Sequence, residues 1–161
     1  MGKRLITQRR GRGTGPYKSP SFRFKGKAKH PSLDSSGKVI DIIHCAGHSA
    51  PLMKVSFLSG TEGLAFAPEG IKVGDEIMVN PEAEIKHGNV LPLKQIPEGT
   101  LVHNLELRPG DGGKMVRASG TFAKVVAKTD KIVRVILPSK KEKKFLPDCR
   151  AAVGIVAGAG R

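Results

Sequence analysis

Leu101-Val102-His103-Asn104-Leu105-Glu106-Leu107 sets an apolar residue or histidine at every second position, and Arg108-Pro109-Gly110-Asp111-Gly112-Gly113-Lys114 follows it without a break. The first stretch carries the period-two signature of a strand and predicts one over residues 101–107. The second places three glycines within four residues, a turn whose backbone can take positive φ and come close to another molecule. Outward on both sides the same grammar repeats. Downstream, residues 122–127 and 132–137 are apolar runs joined by Lys128-Thr129-Asp130-Lys131, which reads as a hairpin turn, and residues 151–157 are a last strand candidate. Upstream, Val39, Ile40, Ile42 and Ile43 form one run and Met53, Val55, Phe57 and Leu58 a second. Residues 64–66 and 77–79 follow, set apart by Pro68-Glu69-Gly70 and Val73-Gly74-Asp75. Turn signals at roughly ten-residue intervals predict an all-β chain of small closed or partly closed barrels. No segment predicts a helix of more than about three turns. A Pro-containing stretch over residues 80–97 separates one small barrel from another.

The charge is arranged in zones. The 161-residue chain carries 28 Lys and Arg against 14 Asp and Glu, a net of +14. Residues 1–33 hold ten basic residues and no acid: Lys3, Arg4, Arg9, Arg10, Arg12, Lys18, Arg23, Lys25, Lys27 and Lys29. Residues 34–113 have a net of −5 and residues 114–161 a net of +9. Such an excess repels itself in an isolated fold and is relieved by a polyanion. The first zone is rich in Gly and Pro and poor in apolar residues. It cannot bury enough surface to offset its ordering entropy, and is expected to be a basic arm, disordered alone and ordered on nucleic acid. A flexible solubility tail is the bland alternative. No apolar run approaches the length of a membrane span, and no bulky amphipathic helix marks a membrane surface. With no Trp, one Tyr and six Phe, the core must be aliphatic and thin, and a broad base-stacking platform is excluded. Two cysteines without a secretion signal point to free thiols in a reducing compartment.

Gly110, Gly112 and Gly113 can turn successive N–H groups toward an anion, and Lys114, Arg117 and Ser119 follow at once. That combination suits a phosphate of RNA; an ordinary wide hairpin loop is the other reading. It is not a nucleotide P-loop, because Arg108 stands where the first glycine belongs and Met115 where Ser or Thr would hold magnesium. His44, Cys45 and His48, with Cys149, have the right chemistry for zinc, but no Cys-x-x-Cys pair is present. Loop histidines and a buried thiol are the favoured reading, so no metal or other cofactor is expected. No nucleophile–base pair or carboxylate pair in an apolar setting stands out, so no enzyme and no small-molecule substrate are expected.

Gly-Asn-Val-Leu-Pro-Leu (88–93), Ile-Pro-Glu-Gly-Thr (96–100), Val-His-Asn-Leu-Glu (102–106), Arg-Pro-Gly-Asp-Gly-Gly-Lys (108–114) and Arg-Ala-Ser-Gly-Thr (117–121) occur in this order. Together they resemble the universal large-subunit ribosomal protein two family. Asp-Ile-Ile-His (41–44), Ala-Pro-Leu (50–52), Ala-Pro-Glu-Gly (67–70) and Gly-Ile-Val-Ala-Gly-Ala-Gly-Arg (154–161) resemble its archaeal and eukaryotic branch. The resemblance implies a basic arm over residues 1–37, an oligonucleotide-binding-type barrel over 38–83 and an SH3-like barrel over 84–161. It implies a structural, primary binder of ribosomal RNA near the peptidyl transferase region and the subunit interface, working in the cytoplasm within the ribosome. Its partners are then large-subunit ribosomal RNA and other ribosomal proteins, with no membrane. It places Lys114, Arg117, Ser119 and the preceding glycines in the RNA-facing segment. A transient RNA-binding translation or RNA-processing factor is the alternative.

Three departures from the family pattern stand out. Cys45-Ala46-Gly47-His48 replaces an Asp-Pro-Gly-Arg motif, removing a basic contact. Thr61-Glu62-Gly63 lies where a basic hairpin is usual. The resemblance also implies a basic, Gly- and His-rich extension beyond Arg161.

Overall fold

A computed structural model describes residue 2, residues 5–31 and residues 35–160. Among these, ten strands form one continuous, strongly curved sheet: β1 (Ser35–Ile43), β2 (Leu52–Phe57), β3 (Glu62–Phe66), β4 (Glu76–Val79), β5 (Val90–Pro92), β6 (Leu101–His103), β7 (Ala123–Lys128), β8 (Val133–Ile136), β9 (Glu142–Phe145) and β10 (Arg150–Val153). Their spatial order is β3-β2-β1-β4-β5-β10-β6-β7-β8-β9. Neighbours pair antiparallel except β4 and β5, which meet in a single parallel pairing of Val79 with Val90. That joint divides the sheet into a four-strand group and a six-strand group. Each group carries a bulge, at Val39/Asp41 in β1 and at Val125/Ala127 in β7. An extra residue bends its strand and raises the local twist, which lets so short a sheet curl over its own core.

The cores are aliphatic, as composition requires. Val39, Met53, Val55 and Ile77 pack beneath the first group with Phe57, and Val102, Val125, Val133, Val135 and Leu105 beneath the second with Phe145. Val79, Val90 and Ala152 fill the joint. Two turns match their sequence signals closely. The β7–β8 hairpin closes with Thr129 N–H donating to Ile132 O (2.9 Å), and β4 follows the Val73-Gly74-Asp75 turn.

The decisive stretch behaves differently from its pattern. Residues 101–107 do not form one strand. β6 ends at His103, and Asn104 takes φ 48°. Val102, His103, Asn104, Leu105 and Glu106 are all buried, while Leu107 is exposed. Alternation was therefore misleading: the segment is enclosed on both faces, and a left-handed residue re-aims it toward the glycine turn.

Within the span 1–37 the described residues behave in two ways. Residues 5–25 form a short helix α1 (Ile6–Arg10) and two single 3₁₀ turns, Gly15–Tyr17 and Ser21–Arg23, and are almost wholly exposed. Ala28 and His30, however, are buried. Lys29 N–H donates to Leu64 O (3.1 Å) and His30 N–H to Gly112 O (2.9 Å). This segment lies along β3, a sheet edge that would otherwise present unpaired backbone groups. At the other end of the chain, residues 155–157 cross back from the second group to the first. Glu69 N–H donates to Ile155 O (2.8 Å), Ala157 N–H to Ala67 O (2.9 Å), and Val156 is buried beside Leu52 and Phe66.

Candidate nucleic-acid interface

The glycine turn is an anion nest, and the anion is internal. Glu106, fully buried, accepts from Gly112 N–H (3.1 Å) and Gly110 N–H (3.2 Å). The same carboxylate accepts from Arg150 through Nε (3.1 Å), Nη2 (2.8 Å) and the backbone N–H (2.9 Å). Asp111 accepts from Leu107 N–H (3.0 Å), Arg108 N–H (3.3 Å) and Gly113 N–H (2.9 Å). The backbone donors that the sequence offered to an RNA phosphate are thus taken by two side chains of the turn itself. Burial raises the Glu106 carboxyl, but the Arg150 guanidinium and the two backbone donors outweigh it and hold the group below the ordinary range. Asp111 is likewise lowered, burial being opposed by the N–H groups of Gly113, Leu107 and Arg108. A buried ion pair this fully hydrogen-bonded fixes geometry; losing either member would leave a buried charge uncompensated.

The positive φ angles serve the same packing. Gly113 has φ 88°, and a Cβ there would lie 2.3 Å from Asn104 Oδ1; a Cβ on Gly112 would lie 3.2 Å from Lys29 Cβ. The molecule that comes close to the turn is the chain's own arm. Arg150 Nη1 donates to Pro31 O (2.6 Å), and His30 Nε2 donates to Asn104 O (2.5 Å). Burial lowers His30 to about 4, so it is held neutral, and does the same to His103, whose Nδ1 lies 3.0 Å from Gly154 O.

Arg117 is half committed inward. Its Nη2 donates to Ala28 O (3.1 Å), and its guanidinium lies 4.6 Å from the Phe66 ring centre, with His48 edge-on to the same ring at 5.5 Å. Ser119 is not a free donor either, because its Oγ donates to Ser49 O (2.6 Å). These residues tie the arm and the 44–50 loop to the turn. Lys114 is exposed. With Lys27 and Lys29 it lines a groove of about 300 Å³ between arm and turn, walled also by Phe24, His48 and Arg117. Arg9, Arg10, Arg12, Lys18, Arg23 and Lys25 stand exposed along residues 5–25, Arg23 resting 5.4 Å from the Phe22 ring centre. Lys3 and Arg4 lie outside the described residues.

The four metal-capable residues do not converge. Cys45 and Cys149 belong to separate cores, His44 is exposed, and only His48 reaches Cys45, Nδ1 to Sγ 3.2 Å. Among the described residues no group of three His, Cys, Asp or Glu gathers to hold a metal ion. N–H groups of Lys25, Gly47, Gly26 and His48 around the Cys45 sulfur hold that thiol below its usual range despite burial. Among the described residues no helix is long and apolar enough to cross a membrane.

Glu106, Asp111 and Arg150 were invisible to sequence reasoning as site residues. The sequence presents this turn by its glycines and its cations, and Arg150 lies 44 positions from Glu106. The only available signal was the coincidence of a lone Glu with a glycine-rich turn.

The all-β scaffold thus carries a groove in which Lys27, Lys29, Lys114 and Arg117 stand together with Asp111. Comparison with known proteins is specific. Residues 86–161 match the family described as Ribosomal Proteins L2, C-terminal domain. The large ribosomal subunit protein uL2 of Methanothermobacter thermautotrophicus is 52% identical over 169 residues, an alignment spanning 100% of this chain and 70% of that protein. The uL2 of Methanococcus vannielii is 53% identical over 168 residues, spanning 100% of this chain and 71% of that protein. The chain belongs to the uL2 family of large ribosomal subunit proteins.

Proposed function

We propose that the chain is a structural constituent of the large ribosomal subunit, binding ribosomal RNA and neighbouring ribosomal proteins in the cytoplasm and performing no reaction of its own. In this reading residues 38–83 act as an oligonucleotide-binding-type barrel and residues 84–161 as an SH3-like barrel. Together they support the RNA around the peptidyl transferase region and the subunit interface.

The observation that carries the proposal is the groove where Lys27 and Lys29 of the arm meet Lys114 of the turn. Arg117, Arg150 and the internal carboxylates hold both walls, so three lysines are presented from a held backbone, with Asp111 at the same groove. Donors fixed on a rigid scaffold discriminate between RNA shapes, because a mismatched surface leaves them unpaired. The exposed cations of residues 5–25 lack such support and add affinity for RNA of many shapes. Gly110, Gly112 and Gly113 act at one remove, by shaping the turn that carries Lys114.

Filter binding to large-subunit ribosomal RNA across a salt series tests the reading. With about six phosphate contacts, log K falls against log salt at a slope of roughly −4 to −5. Replacing Lys27, Lys29 and Lys114 with Ala makes the slope shallower by roughly 2 to 3 and reduces preference for the cognate RNA over an unrelated duplex. A wild-type slope near zero would overturn the proposal.

A further inference from the structure

Outside the arm and its groove, exposed cations gather on the three terminal strands of the six-strand group. Lys124 of β7, Arg134 of β8 and Lys144 of β9 are exposed, as are Lys140 and Lys141 at the β8–β9 turn. Two features distinguish this patch from a solvated face. Arg134 lies directly opposite Lys144 in the antiparallel register, and like charges so placed repel. The neighbouring Glu142 gives partial relief, its Oε1 3.4 Å from Arg134 Nε in a half-exposed pair. The turn itself is held tightly: Lys140 has φ 63°, and Leu137 N–H donates to Lys141 O (2.9 Å). Two lysines are thus presented from a fixed backbone.

The hairpin also lies close to the turn that carries Lys114. On the other face of β9, Lys143 Nζ lies 3.7 Å from Met115 Sδ and 5.6 Å from the Phe145 ring centre. Met115 is the residue after Lys114. β9 therefore lies beside the turn that carries Lys114, with Lys143 toward Met115 and Lys144 on the face shared with Arg134.

We propose that the β8–β9 hairpin, through Lys140, Lys141, Lys143 and Lys144, is a second contact for the phosphate backbone of the RNA held in the groove. This rests on the RNA-binding reading above. A phosphate over the Arg134–Lys144 pair removes the repulsion that the free protein carries. Lysines on a sheet edge can also serve only to prevent edge-to-edge pairing. That role needs charge on the edge but gives no reason to place it across from another cation.

The test uses the whole chain and full-length large-subunit ribosomal RNA. Replacing the four lysines with Gln should make the salt slope shallower by roughly 2 to 3 and weaken binding at least about tenfold at fixed moderate salt. Lys144→Glu is the sharper variant. It sets an acid across from Arg134, so the free protein should melt higher than wild type while its RNA affinity drops. A merely structural lysine would not move the two readouts in opposite directions. A steep wild-type slope left unchanged by the four substitutions would overturn the hairpin contact and leave the groove reading intact. So would aggregation of the variant with unchanged affinity of its soluble fraction. A flat wild-type slope would instead remove the RNA reading on which the proposal stands.

Discussion

Residues 5–25 and the turn at residues 105–119 both look, in sequence, like flexible basic segments rich in glycine. The structure separates them. The first shows nearly all its side chains to solvent. The second is wired from within, its N–H groups taken by Glu106 and Asp111 and its arginine drawn onto a ring and a carbonyl. Glycine and positive charge are therefore poor guides to ligand contact until the competing internal acceptors are known. What the turn offers a partner is two exposed cations, Arg108 and Lys114, on an internally held backbone, and what residues 5–25 offer is many exposed cations without such support.

The largest expected effect tests the internal wiring. Glu106→Ala leaves Arg150 buried without its carboxylate and should cost about 3–5 kcal/mol in urea unfolding. Lys114→Ala, eight residues from Glu106 in sequence, should stay within about 0.5 kcal/mol. Similar losses for the two would mean that the turn is no better organised than the arm.

Acid should expose the same contrast. His30 and His103 are buried and lowered to about 4, whereas in the unfolded chain each takes a proton near 6.5. Between those values the unfolded state binds more protons, so stability falls as pH drops from about 6.5 to 4, by at most about 1.4 kcal/mol per pH unit for each histidine. Glu106 and Asp111, held low, extend the loss as pH falls through their folded values. Urea midpoints at pH 7 and pH 5 measure this, and His30→Gln should make the decline visibly gentler. Parallel behaviour of variant and wild type would place His30 in solvent.

A smaller effect is expected at the joint between the two regions. Arg117→Gln removes the bond to Ala28 O and the contact with Phe66, for about 1–2 kcal/mol. It should also speed proteolytic cleavage near residues 25–31. The smallest stability change belongs to the arm itself. Deleting residues 1–25 should shift stability by less than about 0.5 kcal/mol while weakening cognate and unrelated duplex RNA by similar factors. Loss of cognate binding alone would reverse the roles assigned to arm and turn.

Much of this architecture can be read from the residues. The β7–β8 hairpin follows from alternating Val, Ala and Ile around a polar four-residue turn, because one face is buried and the other wet. The stretch 101–107 misleads for the opposite reason: with both faces enclosed, alternation carries no direction, and nothing local announces the left-handed Asn104. β9, with three of its four residues exposed, has no apolar pattern at all and exists because β8 offers it a ladder. The basic residues of the interface are legible as charge. Which of them are free is not, because Arg117 is engaged by Ala28, 89 positions away.

The return of residues 155–157 to the first strand group bears on how the protein comes into being. Val156 lies within the core that Leu52 and Phe66 begin, a hundred residues earlier in the chain. During synthesis from the N-terminus the first group therefore waits, lacking one wall, until the last strand has been made. β10 meanwhile sits between β5 and β6, so the second group waits for the same segment. Neither half has a finished state of its own, and loop closure over so long a separation makes completion slow. Until that moment the nascent chain carries its full basic arm and an open aliphatic core together. Arg150 of β10 reaches both Glu106 and Pro31 O, so completing the sheet and fastening the arm beside the glycine turn draw on the same late-made strand.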